Sequence, residues 1–162
     1  MNQLKAIFTI LATSGVLMAC QPQQSEQTQS SAPQPTIETD IKAFSATQED
    51  ATDIEHLNTF NTNFITMSNE MYHELEQLKT QNTLQPDFVQ RRKRDQALSA
   101  LNMLKDLELS TPQGHYIQGM LYDYWEQQLK FLDGQQQQAP NKNIVLQAEH
   151  QLQHWQAQTK KA

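Results

Sequence analysis

The sequence predicts an all-α fold, a three- to four-helix antiparallel up-down bundle standing behind a disordered N-terminal stalk. Three observations lead there. The 162 residues include only 4 Gly and 6 Pro, too few breakers for the frequent turns of a many-stranded sheet. The 26 Gln residues help pull the mean hydropathy down to −0.72 without adding the charge repulsion that keeps chains expanded, and Gln is a good helix former. Apolar residues from Ile54 to Trp155 recur largely at spacings of three and four.

Residues 1–19 read as an export signal. Lys5 is their one charge, and apolar runs from Ala6 to Ala12 and from Gly15 to Ala19 are too short to span a bilayer comfortably. The segment closes on Leu17-Met18-Ala19-Cys20, which contains the chain's single cysteine. This tetrad resembles the lipobox of bacterial lipoproteins. The resemblance implies cleavage before Cys20, acylation of its thiol with chains such as palmitate, and often acylation of the new amino group. Two or three chains, at about 0.8 kcal/mol per buried methylene, make such an anchor effectively permanent. By the sorting rule of enteric bacteria, Gln21, where an Asp would signal retention, implies delivery to the outer membrane with the body in the periplasm. The alternative, an uncleaved anchor helix, leaves the lone thiol unexplained.

Residues 20–40 carry almost only Gln, Ser, Thr, Pro, Ala and Glu after the cysteine, with Pro22, Pro33 and Pro35 and no apolar periodicity. Such a composition cannot offset chain entropy by burial, so it reads as a disordered tether. Residues 41–162 form the body.

The first helix is expected to begin near Thr47, as a weak N-cap with Asp50 three residues on, and Glu49, Asp50 and Asp53 suit the positive end of its dipole. Ile54, Leu57, Asn61, Phe64, Ser68, Met71, Leu75 and Leu78 make a heptad seam with two polar seats, widened by Phe60 and Ile65. Asn58, Thr59, Asn61, Thr62 and Asn63 have poor helix propensity, and a bend or break is expected there. Gln81 to Gln85 connect to a second helix with Pro86 in its first turn; its apolar positions run from Val89 to Leu107, stopping near Leu109. Ser110-Thr111-Pro112 supplies a cap and an N1 proline for a third helix bearing Tyr116, Ile117, Met120, Leu121, Tyr124, Trp125 and Leu132, with Gly134 as its C-terminal cap. After the Gln135–Gln138 tract and Pro140, a fourth helix carries Ile144, Val145, Ala148, Leu152 and Trp155 to near Lys160.

The formal charge of −6 excludes a generic nucleic-acid binder, which needs a basic footprint to displace counterions from phosphate. Removing residues 1–19 removes Lys5 and no acid, giving −7. The one basic run, Arg91-Arg92-Lys93-Arg94, lies near the start of the second helix, where cations oppose the dipole and repel one another. An anion-binding role and simple pairing with acids of a neighbouring helix both account for it. Tyr122 falls off the main stripe of the third helix and suits a protein interface.

His150 and His154, four apart, can face the same way, with His115 as a third candidate metal ligand. Two ligands do not make a site, and Gln151 stands where HExxH would need its glutamate. Glu70 and His73 match half of a di-iron helix, but Gln147 occupies the matching acid position before His150.

No catalytic constellation and no cofactor are expected. The sequence reads as a lipid-anchored, non-catalytic helical module for an envelope protein partner. The alternatives are a binder of anionic peptidoglycan or lipopolysaccharide through residues 91–94, and a metal-binding bundle through His150 and His154.

Overall fold

Helix α1 (Asp50–Thr80) runs unbroken through the Asn/Thr-rich stretch where the sequence predicts a break. Burying Leu57 and Phe60 on one face outweighs the poor propensity of the other, since tertiary packing supplies most helical stability in proteins. Thr66 Oγ1 donates back to Thr62 O at 2.9 Å, the local bond by which a mid-helix threonine satisfies its hydroxyl. Three more helices follow, α2 (Pro86–Lys105), α3 (Pro112–Leu132) and α4 (Asn143–Thr159). The computed structural model describes residues 41–160, within the second of two units, Ile37–Ala162. The expected signal (1–19) and tether (20–40) lie outside the described residues. Among the described residues there is no strand, and the fold is an all-α helical bundle.

The helix ends follow from local chemistry. Thr111 caps α3, accepting from Gly114 N at 2.9 Å, and Pro112 occupies N1. Pro86 starts α2 in the same way. At the end of α3 the left-handed Gly134 (φ 71°) follows Asp133, and Gln135 N donates to Lys130 O at 2.8 Å while Gly134 N donates to Phe131 O at 3.1 Å. That is a Schellman motif. The end of α1 repeats it with Asn82 (φ 56°) in the left-handed position.

Three local expectations are corrected. Thr47 is not the N-cap of α1; Glu49 holds that position, and the Thr47 hydroxyl donates instead to Asp50 Oδ1 at 2.7 Å. Helix α2 ends at Lys105, so Leu107 and Leu109 belong to the connection; Leu109 is nevertheless buried in the core. Ile65 does not widen the buried stripe: it is 58% exposed, because it lies about 100° around the helix from Phe64.

The packing is up-down-up-down. As residue numbers rise along α1 they fall along α2, through Ser68 with Gln96 and Glu74 with Arg92. Arg94 with Asp133 and Leu104 with Gln118 set α3 antiparallel to α2. Gln156 Nε2 donates to Asn58 Oδ1 at 2.8 Å, closing α4 against α1. Leu57, Leu104, Ile117, Leu152 and Trp155 meet in the core, and Phe64 carries it to Trp125 at 4.9 Å between ring centroids.

Two buried polar residues fix long-range geometry. Asp53 (1% exposed) lies in the first turn of α1, as expected, and also accepts from Ser110 N at 3.0 Å and Thr111 N at 2.7 Å, so an α1 carboxylate caps the approach to α3. Gln151 (0% exposed) accepts from Lys42 N at 3.0 Å and donates to Lys42 O at 2.8 Å. This clamp holds the segment before α1 against α4, with Phe44 on the Tyr116 ring and the Lys42 ammonium over both rings.

Candidate functional site

The basic run divides. Arg92 reaches across to Glu74 of α1 at 2.9 Å, and Arg94 Nε donates to Asp133 Oδ1 at 2.7 Å. The second contact places a cation at the C-terminal end of α3, where carbonyl dipoles favour it, and Asp133 holds the Arg94 guanidinium above its ordinary value through a hydrogen bond and its charge. Gln90 Nε2 joins it by donating to Leu132 O at 3.4 Å. Arg91 lies over the Phe88 ring, 5.9 Å from its centroid, and Lys93 is exposed. The four residues therefore do not converge on one point: two hold neighbouring helices and two face outward.

His150 and His154 are both exposed on α4, and His115 Nδ1 donates to Gln118 Oε1 at 3.2 Å. Among the described residues no group of three or more His, Cys, Asp or Glu side chains comes together in a geometry that could hold a metal. Glu70 and His73 are exposed, and Gln77 Nε2 donates to His73 Nε2 at 2.9 Å. His56 Nδ1 donates to Glu108 O at 2.9 Å, a tie between α1 and the α2–α3 connection. Cys20 lies outside the described residues. No helix among the described residues is long and apolar enough to cross a membrane.

Tyr122 is 38% exposed on the outer face of α3. Apolar exposure is greater on α1, which the sequence reading did not single out. Ile65 and Tyr72 are 58% and 56% exposed. Beside Ile65 a groove of about 300 Å³ opens between α1 and α4, floored by Leu57, Phe64, Leu121 and Ala148, with Asn61 and Glu149 as its polar lining. With 17 residues against 31, α4 is about 20 Å shorter than α1 and cannot cover its distal half.

Tyr124 extends this surface from α3. Its ring packs edge-on to Trp125 at 5.1 Å, and its hydroxyl is held above the ordinary tyrosine value by burial and then by the charge of Tyr72. An aromatic series thus runs from buried Phe60 through Phe64, Trp125 and Tyr124 to the neighbourhood of exposed Tyr72. The signal for it lay in the sequence, since Ile65 and Tyr72 stand seven apart and one position beyond the core seam. What spacing within one helix does not give is which stretch of α1 lies beside α4.

No protein-family model, curated protein or solved structure matches the chain.

Proposed function

We propose that this chain is a lipid-anchored envelope protein whose helical bundle binds another protein without catalysing a reaction. The anchor rests on the Leu17-Met18-Ala19-Cys20 tetrad and its resemblance to a lipobox, which implies outer-membrane attachment through Cys20. The binding role is carried by one observation, the exposed apolar strip of Ile65 and Tyr72 beside the α1–α4 groove. An aliphatic and an aromatic side chain, each more than half exposed and next to an open apolar groove, are what a protein interface uses as anchors. Engagement of Arg92 with Glu74 and of Arg94 with Asp133 favours this reading over anion binding through residues 91–94.

The test is site-specific photo-crosslinking in intact bacterial cells from position 65, with position 122 as a second probe on the far face of α3. A discrete protein adduct from position 65 is the expected result. Adducts only to lipid or glycan, or none from either position, would refute protein binding. Growth with a labelled fatty acid tests the anchor: label is expected in the wild type and absent in Cys20→Ser.

A further inference from the structure

The partner's chemistry can be read from α1, taking the protein-binding reading above as its premise. Glu55, Asn58, Thr62, Ile65, Asn69, Tyr72 and Glu76 alternate at spacings of three and four, the pattern of a helix–helix seam. They repeat, one position around, the seam that α1 turns to the core. Ile65 and Tyr72 stand about 10 Å apart along the axis and are its exposed apolar knobs.

Charge is distributed along α1 in blocks. From Leu57 to Asn69 there is no charged residue, which is the depletion found at the centre of protein interfaces. Outside that stretch α1 carries Asp50, Asp53, Glu55, Glu70, Glu74 and Glu76 against the single cation Lys79. Glu55, within the outer stripe, and Glu149, which borders the adjoining groove, are exposed and have no ion-pair partner among the described residues. A second copy of the chain would bring the same acids against these.

We infer that the outer stripe of α1 seats a basic amphipathic helix of the partner protein, its apolar face on Ile65 and Tyr72 and its cations toward Glu55 and Glu149. Apolar contacts would supply affinity, and the acidic surround would select the sign of the partner's charge and speed encounter.

Two labelled model helices of about five turns, one Leu/Lys and one Leu/Glu with identical apolar faces, serve as probes. They are titrated by fluorescence anisotropy against the full chain in phosphatidylcholine nanodiscs, with empty nanodiscs as the blank. The Leu/Lys helix is expected to bind at least about tenfold more tightly than Leu/Glu, and to lose about tenfold or more with Ile65→Ser/Tyr72→Ser. Both side chains are exposed, so an unchanged circular dichroism spectrum and melting temperature keep that variant interpretable. Raising the salt should weaken the Leu/Lys complex, and Glu55→Gln/Glu149→Gln should flatten that dependence.

Equal binding of the two helices, or binding indifferent to Ile65→Ser/Tyr72→Ser, would overturn the inference. So would self-association of the chain that the same double substitution abolishes. A crosslink from position 65 to a non-basic segment of another protein would defeat the inference and leave the protein-binding reading standing. Absence of any protein adduct would defeat that reading itself.

Discussion

The contact between Asp53 and Gly114 gives the sharpest energetic prediction. A Cβ built on Gly114 would lie 2.6 Å from Asp53 Oδ2 and 3.0 Å from Thr111 Oγ1. The carboxylate cannot withdraw freely, because Ser110 N and Thr111 N hold it from the other side at 3.0 and 2.7 Å. Gly114→Ala should therefore break or stretch the Thr111 bond, a loss of about 1.5–3 kcal/mol for a hydrogen bond to a charged group. Against that, alanine in a helix gains about 0.5–1 kcal/mol over glycine, leaving a net destabilisation of about 1–2 kcal/mol. Asp53→Ala alone leaves two backbone donors without their acceptor, one of them buried, and should cost about 3–4 kcal/mol of a total near 5–15. In the Asp53→Ala background the nearer oxygen is gone and only the 3.0 Å approach to Thr111 Oγ1 is left to offset the gain of alanine over glycine, so adding Gly114→Ala should be close to neutral. The cycle should thus report a coupling of about 1–2 kcal/mol. Urea unfolding followed by the fluorescence of Trp125 and Trp155 reads all four species. If Gly114→Ala costs the same with and without the Asp53 carboxylate, the account of that glycine is wrong.

Other predictions follow from the same geometry. Since the Tyr124 hydroxyl titrates above its ordinary value of 10.0 in the fold, the unfolded chain loses that proton first. Its contribution is therefore complete below the unfolded value and falls as pH rises through the folded one; Tyr124→Phe should flatten the alkaline limb of stability measured by urea unfolding against pH. Gln151→Leu removes both bonds to Lys42 and should cost about 1–2 kcal/mol, with amide exchange rising at Lys42 and Phe44 well before the core opens; unchanged exchange there would contradict the clamp. Arg94→Ala should lower the urea midpoint slightly at low salt and not at all near 1 M, where the Asp133 pair is screened; a salt-independent loss would point to packing of its stem instead.

Much of the bundle was legible because its signals are local. Pro86, Thr111-Pro112 and Gly134 mark helix ends through their own backbone preferences, and the seam from Ile54 to Leu78 is buried or half-buried throughout. What escaped was whatever depends on which helix lies beside which. Asp53 stands in the first turn of its own helix and also caps the next-but-one, and no spacing within α1 announces the second role. Gln151 looked like a failed catalytic position and is a fully buried clamp. The pairing of Arg92 with Glu74 and Arg94 with Asp133 needed the register between helices, which a single chain does not reveal. The Asn/Thr stretch misled because propensity was weighed without the core it backs. The candidate surface is not marked by periodicity alone: Ile65 follows the core residue Phe64 and Tyr72 follows Met71, and Tyr122, which departs from the α3 stripe, lies outside it.

The bond between Lys42 and Gln151 joins residues separated by 109 positions, so it ties the beginning of the described chain to its last helix. During synthesis, from the amino end, Lys42 emerges long before its partner exists. The leading segment can therefore make its two bonds to Gln151 only once α4 is present. Closing so long a loop is entropically costly, and one amide side chain provides two bonds at once to hold it. A chain shortened before α4 would lose more than its fourth helix: its front end would keep only the Phe44 and Lys42 contacts with Tyr116 of α3.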